Sequence, residues 1–300
     1  IKAWSIDFNA DGLWTETRNR QTANEDVIES VDDNADRKVT TTDTKRNELY
    51  AAKLIVSHPF AKGELSVGAE YSHNKRNTTF FNKEGIIDND EAMIKEGAAS
   101  AFVEYAKTFH TLQVQAGLRY EHVGFDYYDA GKFVAEQSKT YHNLFPSITF
   151  SFPWKNVQVQ LGYASDIQRP SYRDLRSNVL YANRYMYDTG NPFLMPSITN
   201  NVTLGVSYKW VNLYVGYSHV KDPMVQQTVA YSDDDPTIAL LTIYNEPAYD
   251  KLLASISFSP TIGIWSPQLG IGINKQWYES ETPQGKKKFG KPLGSLSFRN

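Results

Sequence analysis

Cysteine is absent from the 300-residue chain, so neither a disulfide framework nor a thiolate metal site is available, and either redox compartment is permitted. No run of about 18 apolar residues occurs, which excludes a conventional membrane-spanning helix. Basic residues are not in excess: 31 Lys and Arg stand against 34 Asp and Glu, a formal net charge of −3, and they are scattered along the chain. A nucleic-acid partner calls for a basic stripe opposite the phosphates, so that partner is excluded. Catalytic signatures are missing as well. There is no GxSxG elbow for an activated serine and no His pair at i, i+4 for zinc. The six histidines, His58, His73, His110, His122, His142 and His219, fall near strand ends or turns and read as solvated or interfacial. Asp233, Asp234 and Asp235 lack the spacing and glycine of a calcium loop and read as an acidic turn. The expectation is a protein that is not an enzyme and carries no metal or cofactor.

What the chain does contain is alternation and aromatic residues: 19 Tyr, 15 Phe and 6 Trp make 13% of it aromatic. The stretch Tyr141 to Asp222 shows the pattern most fully. Val157, Val159, Leu161 and Tyr163 alternate with Gln158, Gln160, Gly162 and Ala164, which places an apolar set on one face of a strand and a polar or small set on the other. Val202, Leu204, Val206 and Tyr208 repeat this, as do Leu213, Val215 and Tyr217. The connections alternate between very short (Pro153 to Asn156; Lys209 to Asn212) and very long (Asp166 to Ser197). Short turns at one rim, long loops at the other and strands greasy on one face are the pattern of a transmembrane barrel.

The same reading extends outward. A first strand covers Ala3 to Trp14, and long polar loops are expected over Thr15 to Asn47, Ser72 to Glu96 and His122 to Thr140. Between them run hairpins, of which Leu112, Val114, Ala116, Leu118 and Tyr120 against Gln113, Gln115, Gly117, Arg119 and Glu121 is the cleanest. Val225 to Tyr231 and Thr237 to Tyr244 form an extended hairpin above the membrane, and the last loop is Glu279 to Lys291. About twelve strands result. Phe60, Phe109, Trp154, Trp210 and Trp265 fall at successive short turns, as an aromatic girdle requires; Tyr71, Tyr105, Tyr120, Tyr163, Tyr208 and Tyr217 are candidates for the opposite girdle. Ile1 already sits in alternation and Asn300 follows a strand without an evident stop, so the stretch is expected to belong to a longer precursor.

Four segments resemble a known family. GLRYEH (Gly117 to His122), YHNLFPSITFSF (Tyr141 to Phe152), LGYASDIQRPSYRDL (Leu161 to Leu175) and TGNPFLMPSITNNVTLGVSYK (Thr189 to Lys209) are similar, in order, to stretches of the outer-membrane β-barrels related to TonB-dependent receptors, Bacteroidetes type. Ser197 stands where a Glu is usual after Pro196, and Thr203 where a second Glu is common. The resemblance implies an all-β, antiparallel up-and-down barrel in the bacterial outer membrane, here the single β-barrel domain 1–300, a part of a larger barrel whose plug domain precedes it. It further implies nutrient binding and uptake. The partners it implies are outer-membrane lipid, an energy-coupling protein acting through the plug, and a surface lipoprotein.

Candidate ligand-binding residues follow from position. Arg119 and Glu121, with Gln113, Gln115, Gln158 and Gln160, line the lumen. Arg169 and Tyr172 in the RPSY segment and Asn191 in GNP shape a vestibule, although Pro and Gly there serve equally to fix a strand exit. Tyr185, with Tyr181, Tyr187 and Phe193, offers aromatic rings in a long loop for a sugar or other amphipathic nutrient, a role that loop packing also explains. Two other readings stay open: an outer-membrane barrel for adhesion, assembly or signalling, and a soluble β-sandwich carbohydrate-binding module that would bury the Val157/Leu161 face.

Overall fold

Alternation of period two becomes strand almost throughout a computed structural model that describes residues 4–26, 36–232, 236–282 and 285–299. Asp233, Asp234 and Asp235 lie outside the described residues. The strands are β1 (Ser5–Glu25), β2 (Arg37–Phe60), β3 (Gly63–Asn82), β4 (Asp90–Phe109), β5 (Leu112–Asp129), β6 (Lys132–Phe133), β7 (Lys139–Trp154), β8 (Val157–Gln168) and β9 (Val179–Asn183). After these come β10 (Met186–Thr189), β11 (Ser197–Tyr208), β12 (Val211–Lys221), β13 (Met224–Ala230), β14 (Ala239–Asn245), β15 (Tyr249–Phe258), β16 (Gln268–Thr282), β17 (Gly285–Phe289) and β18 (Leu293–Arg299). No helix occurs among the described residues.

One antiparallel sheet runs β1-β2-β3-β4-β5-β7-β8-β11-β12-β15-β16. Its last position is shared by β18, which pairs with the Gln268–Asn274 half of β16, and β17, which pairs with the Tyr278–Thr282 half. The up-and-down order is therefore twelve strands wide, as the alternation predicts. Left-handed backbone at Ala61, Lys62, His110, Lys155 and Lys209 closes the two-residue turns at one rim, with a twist suited to tight hairpins. Among the described residues no ladder joins β1 to β17 or β18.

The two faces of this sheet differ in chemistry. Rungs such as Phe152–Val159–Val206–Leu213–Ile256–Ile271–Leu296 cross seven strands on one face. Among the described residues nothing covers that face: Leu144 is 59% exposed, Ile271 48% and Leu296 75%. On the other face the matching rungs read Ser151–Gln160–Gly205–Tyr214–Ser255–Gly272–Ser295. The uncovered apolar face excludes the soluble sandwich, which would have buried Val157 and Leu161. It is the wall that hydrocarbon solvates in an outer-membrane barrel. Phe60, Phe109, Trp154, Trp210 and Trp265 all lie exposed at the short-turn rim. Tyr105 and Tyr208 belong to that rim too, Tyr105 donating to the carbonyls of Phe60 and Ala61, so they do not join Tyr71 and Tyr120 in an opposite girdle.

Four expected loops are instead strand over much of their described length, the last of them where Gly285–Phe289 of β17 pairs with the end of β16. β1 and β2 stay paired from Ser5↔Ser57 to Glu25↔Arg37, β3 runs to Asn82 and β5 to Asp129. About nine to eleven residues span the hydrocarbon, so the 24 residues of β2 carry the wall well beyond it. Along β5 the pattern inverts: Leu118 and Tyr120 face outward, whereas Val123, Phe125 and Tyr127, one step out of phase, are buried on the inner face. Above the membrane the outer face meets water and the inner face meets protein, so the apolar residues change sides. β4 does the same, with Val103 exposed outward and Ala92 and Ile94 buried inward.

The protein they meet is a second, four-stranded sheet, β13-β14-β10-β9, built from the two long connections β8–β11 and β12–β15. Leu175 and Leu194 pack with Ala92, Ile94, Phe125 and Tyr127. Tyr181 and Tyr187 pack with Val39, Phe80 and Ile87. The long loops thus fold inward onto the upper wall of β2–β5.

Candidate functional site

The inward loop leaves β8 at Arg169, whose guanidinium pairs with Glu121 on β5. Glu121 is 4% exposed and also receives Arg119 Nη2 at 3.3 Å, while Arg119 Nη1 reaches Glu70 at 3.3 Å. Lumenal Arg119 and Glu121 and loop residue Arg169 therefore meet in one charged knot at the base of the loop, where each carboxylate is satisfied by an arginine. Tyr172, the next candidate, turns back to the wall: its hydroxyl accepts from Asn74 Nδ2 and donates to Glu96 at 3.3 Å. Burial, with the Glu96 charge behind it, pushes that phenol up to about 12. It is a strut between loop and β3.

Asn191 fastens the two long loops together. Its amide donates to the Ile243 carbonyl at 3.0 Å, its Oδ1 accepts from Phe193 N, and its own N–H donates to the Asp174 carbonyl at 2.6 Å. Gly190 beside it has no room for a side chain, because a Cβ would lie 2.5 Å from the Asp174 carbonyl oxygen. Asn245 repeats the fastening from the other loop, donating to the carbonyls of Met195 and Asp222. Tyr185 stands apart at the β9–β10 turn, 64% exposed, next to Arg184, which is paired with Glu25 at the tip of β1. The six sequence-derived candidates thus separate into a knot (Arg119, Glu121, Arg169), two loop anchors (Tyr172, Asn191) and one rim aromatic (Tyr185).

Lys139 enters β7 above the hydrocarbon band and points under the same loop. Its ammonium donates to the carbonyls of Leu194 at 2.8 Å and Pro192 at 3.2 Å, and burial pulls its pKa down to about 8. Glu96, Arg169 and Tyr141 share its cavity, whose 20 Å³ admits one water. A base whose folded pKa lies below its unfolded value favours the folded state more as it loses its proton. The stability of wild type relative to Lys139→Gln should therefore be flat below pH 8 and rise from about pH 8 toward 10.5. Melting temperatures of both proteins at pH 7 and pH 9.5 check this, and a gap that narrows in the wild type's disfavour would refute it.

Two clefts open where the loop meets the wall, and both are lined by Arg173 and Arg176. One, of about 280 Å³, lies against β1–β3 and adds Lys45, Asp43, Arg76 and Tyr172. The other, of about 490 Å³, lies against the second sheet and adds Asp188, Gln226 and Thr242. Arg176 pairs with Asp188 at 2.7 Å and Arg173 with the same carboxylate at 3.5 Å. Sequence reasoning did not single out Arg76, Lys45, Arg173 or Arg176. Arg76 and Lys45 fall in stretches that read as loop, yet the alternation of Asn74, Arg76, Thr78 and Phe80 carried the signal that they share an inner face. Among the described residues no cluster of three or more His, Asp or Glu is placed to hold a metal.

A lipid-solvated β-wall with polar interior rungs and inward-folded long loops defines an outer-membrane barrel. The chain belongs to the outer membrane protein beta-barrel family, whose profile it matches over residues 2–298. No curated protein matches it. Among solved structures it is similar to the ferripyoverdine receptor of the outer membrane of Pseudomonas aeruginosa bound to ferripyoverdine, with 15% identity, a TM-score of 0.59, and 98% of this chain over 41% of that one. It is also similar to the copper transporter OprC (11% identity, TM-score 0.54, 79% of this chain and 39% of that one). A third is the ferric-catecholate import receptor Fiu from E. coli K12 (11%, 0.52, 90% and 45%). These are TonB-dependent receptor barrels, and at such identities the likeness is one of fold. The chain spans less than half the length of each.

Proposed function

We propose that the protein is an outer-membrane transport barrel of the TonB-dependent-receptor kind, which binds a nutrient at its long-loop rim and delivers it inward. The observation that carries this reading is the direction of the loops. They fold onto the inner face of the upper wall and leave charged clefts at the mouth, where a ligand held by side chains stands above the lumen. An adhesin or signalling barrel has no need to place its binding groups there. The chemistry of the clefts is that of binding, with charged and hydroxyl groups that orient a ligand, and we read the protein as non-catalytic. In the full-length protein an energy-coupling partner would act through a plug that fills the barrel, and a surface lipoprotein would pass ligand to the rim.

The test is uptake. Deleting the complete gene should abolish accumulation of one radiolabelled nutrient in a panel supplied at limiting concentration, and a plasmid copy should restore it, with dependence on the proton-motive force. Unchanged accumulation across the panel, with lost surface adhesion or envelope integrity, would instead establish a non-transporting barrel.

A further inference from the structure

The cleft between the loop and β1–β3 has an unbalanced charge. Lys45, Arg76, Arg173 and Arg176 line it against Asp43, which Lys45 already pairs, and Asp188 lies behind the two loop arginines. Two more cations than carboxylates meet there. Arg76 is the distinctive one. It sits half-buried with its guanidinium 5.2 Å from the centre of the Tyr172 ring, and burial lowers its pKa below the ordinary arginine value. Among the described residues no carboxylate forms an ion pair with it. Arg176, whose side chain is 12% exposed, carries a buried Nε without a hydrogen-bond partner. A buried guanidinium donor left unmatched is unfavourable, and an oxyanion that presents two oxygens matches its fork. Arg173, 76% exposed, stands at the opening, where its charge attracts an anion from solution. Phe80 and Leu180 add an apolar part to its lining.

From this placement we infer that the cleft is an oxyanion site: it takes a carboxylate, sulfate or phosphate of a small ligand between Arg76 and Arg176, with an apolar portion of that ligand against Phe80 and Leu180. The inference rests on the reading of the rim as the ligand-binding mouth and adds to it the ligand's class, anionic rather than neutral.

The full-length protein in detergent is titrated calorimetrically at low salt with citrate, with pyrophosphate and with sucrose. Citrate, pyrophosphate or both should bind, sucrose should not, and the bound class tells carboxylate from phosphoryl recognition. Arg76→Gln should weaken binding by about tenfold or more, whereas Lys62→Gln, an equal charge change at the short-turn rim, should leave it unaltered. Arg173→Gln, at an exposed position that folding does not need, should weaken binding and lower its salt sensitivity; it replaces Arg76→Gln if that variant fails to show the heat-modifiable band of a folded barrel. Absence of anion binding, equal binding of sucrose, or equal weakening by Lys62→Gln would overturn the site. Binding without uptake in cells would fail the transport reading alone, and uptake without anion binding would fail the cleft alone.

Discussion

Replacing Glu121 with alanine is expected to unseat the Arg169–Pro196 loop from the inner wall. The carboxylate is buried between Arg119 and Arg169, and its removal leaves Arg169 without a counter-charge beside Arg119, whose remaining partner is Glu70. Breaking a buried pair in this way costs about 3–5 kcal/mol. Both arginines keep 35% of their side-chain surface in water, so the lower end applies, and each 1.4 kcal/mol is tenfold in population. The open loop should therefore become about a hundredfold more populated. Trypsin reads this directly, because Arg176 lies within the loop and its side chain is shielded in the docked state. Glu121→Gln, which keeps an acceptor but no charge, should fall between wild type and Glu121→Ala. Cleavage of Glu121→Ala at the wild-type rate would show that the packing of Leu175 and Leu194 and the Asn191 bonds hold the loop without the knot.

Leu161→Arg and Gln160→Arg should behave as opposites although they are neighbours in sequence. Leu161 shares an outward rung with Phe150 and Leu204, and Gln160 an inward one with Ser151 and Gly205. An arginine facing hydrocarbon near mid-depth costs about 2–4 kcal/mol, whereas a lumenal one is nearly neutral. Denaturant unfolding of the protein in lipid vesicles should show a much lower midpoint for Leu161→Arg and little change for Gln160→Arg. The reverse order would mean that hydrocarbon and lumen have been assigned to the wrong faces.

Much of this was legible in the chain because a membrane barrel imposes two simple constraints. Every spanning strand must turn alternate side chains to lipid, so Val157, Val159 and Leu161 declare a face. Every periplasm-type turn must be short, so the spacing of Phe60, Phe109, Trp154 and Trp210 declares a rim. The family-like segments then gave the fold's kinship, which the profile match over residues 2–298 bears out. The extent of the strands was not legible in the same way. Thr15 to Asn47 and His122 to Thr140 read as loops because their outer positions are polar, and Val123, Phe125 and Tyr127 break phase with Leu118 and Tyr120. An inverted alternation is still an alternation, but its meaning depends on what covers each face.

The candidate residues show the same limit. That Arg119 and Glu121 face the lumen follows from their position on β5, yet that Arg169 completes their charge balance requires a contact across 48 residues. The RPSY and GNP segments mark where the chain must bend, while Tyr172 bonding to Asn74 and Asn191 to Ile243 join parts of the chain that no local pattern relates. Period-two chemistry alone determined a β-wall with one lipid face and one wet face, since side-chain direction in a strand is fixed by the backbone itself. Which way the long loops turned, and hence which arginines meet at the mouth, was decided only by tertiary packing, because the burial of Leu175, Leu194, Tyr181 and Tyr187 depends on apolar partners that appear when β2–β5 stand side by side.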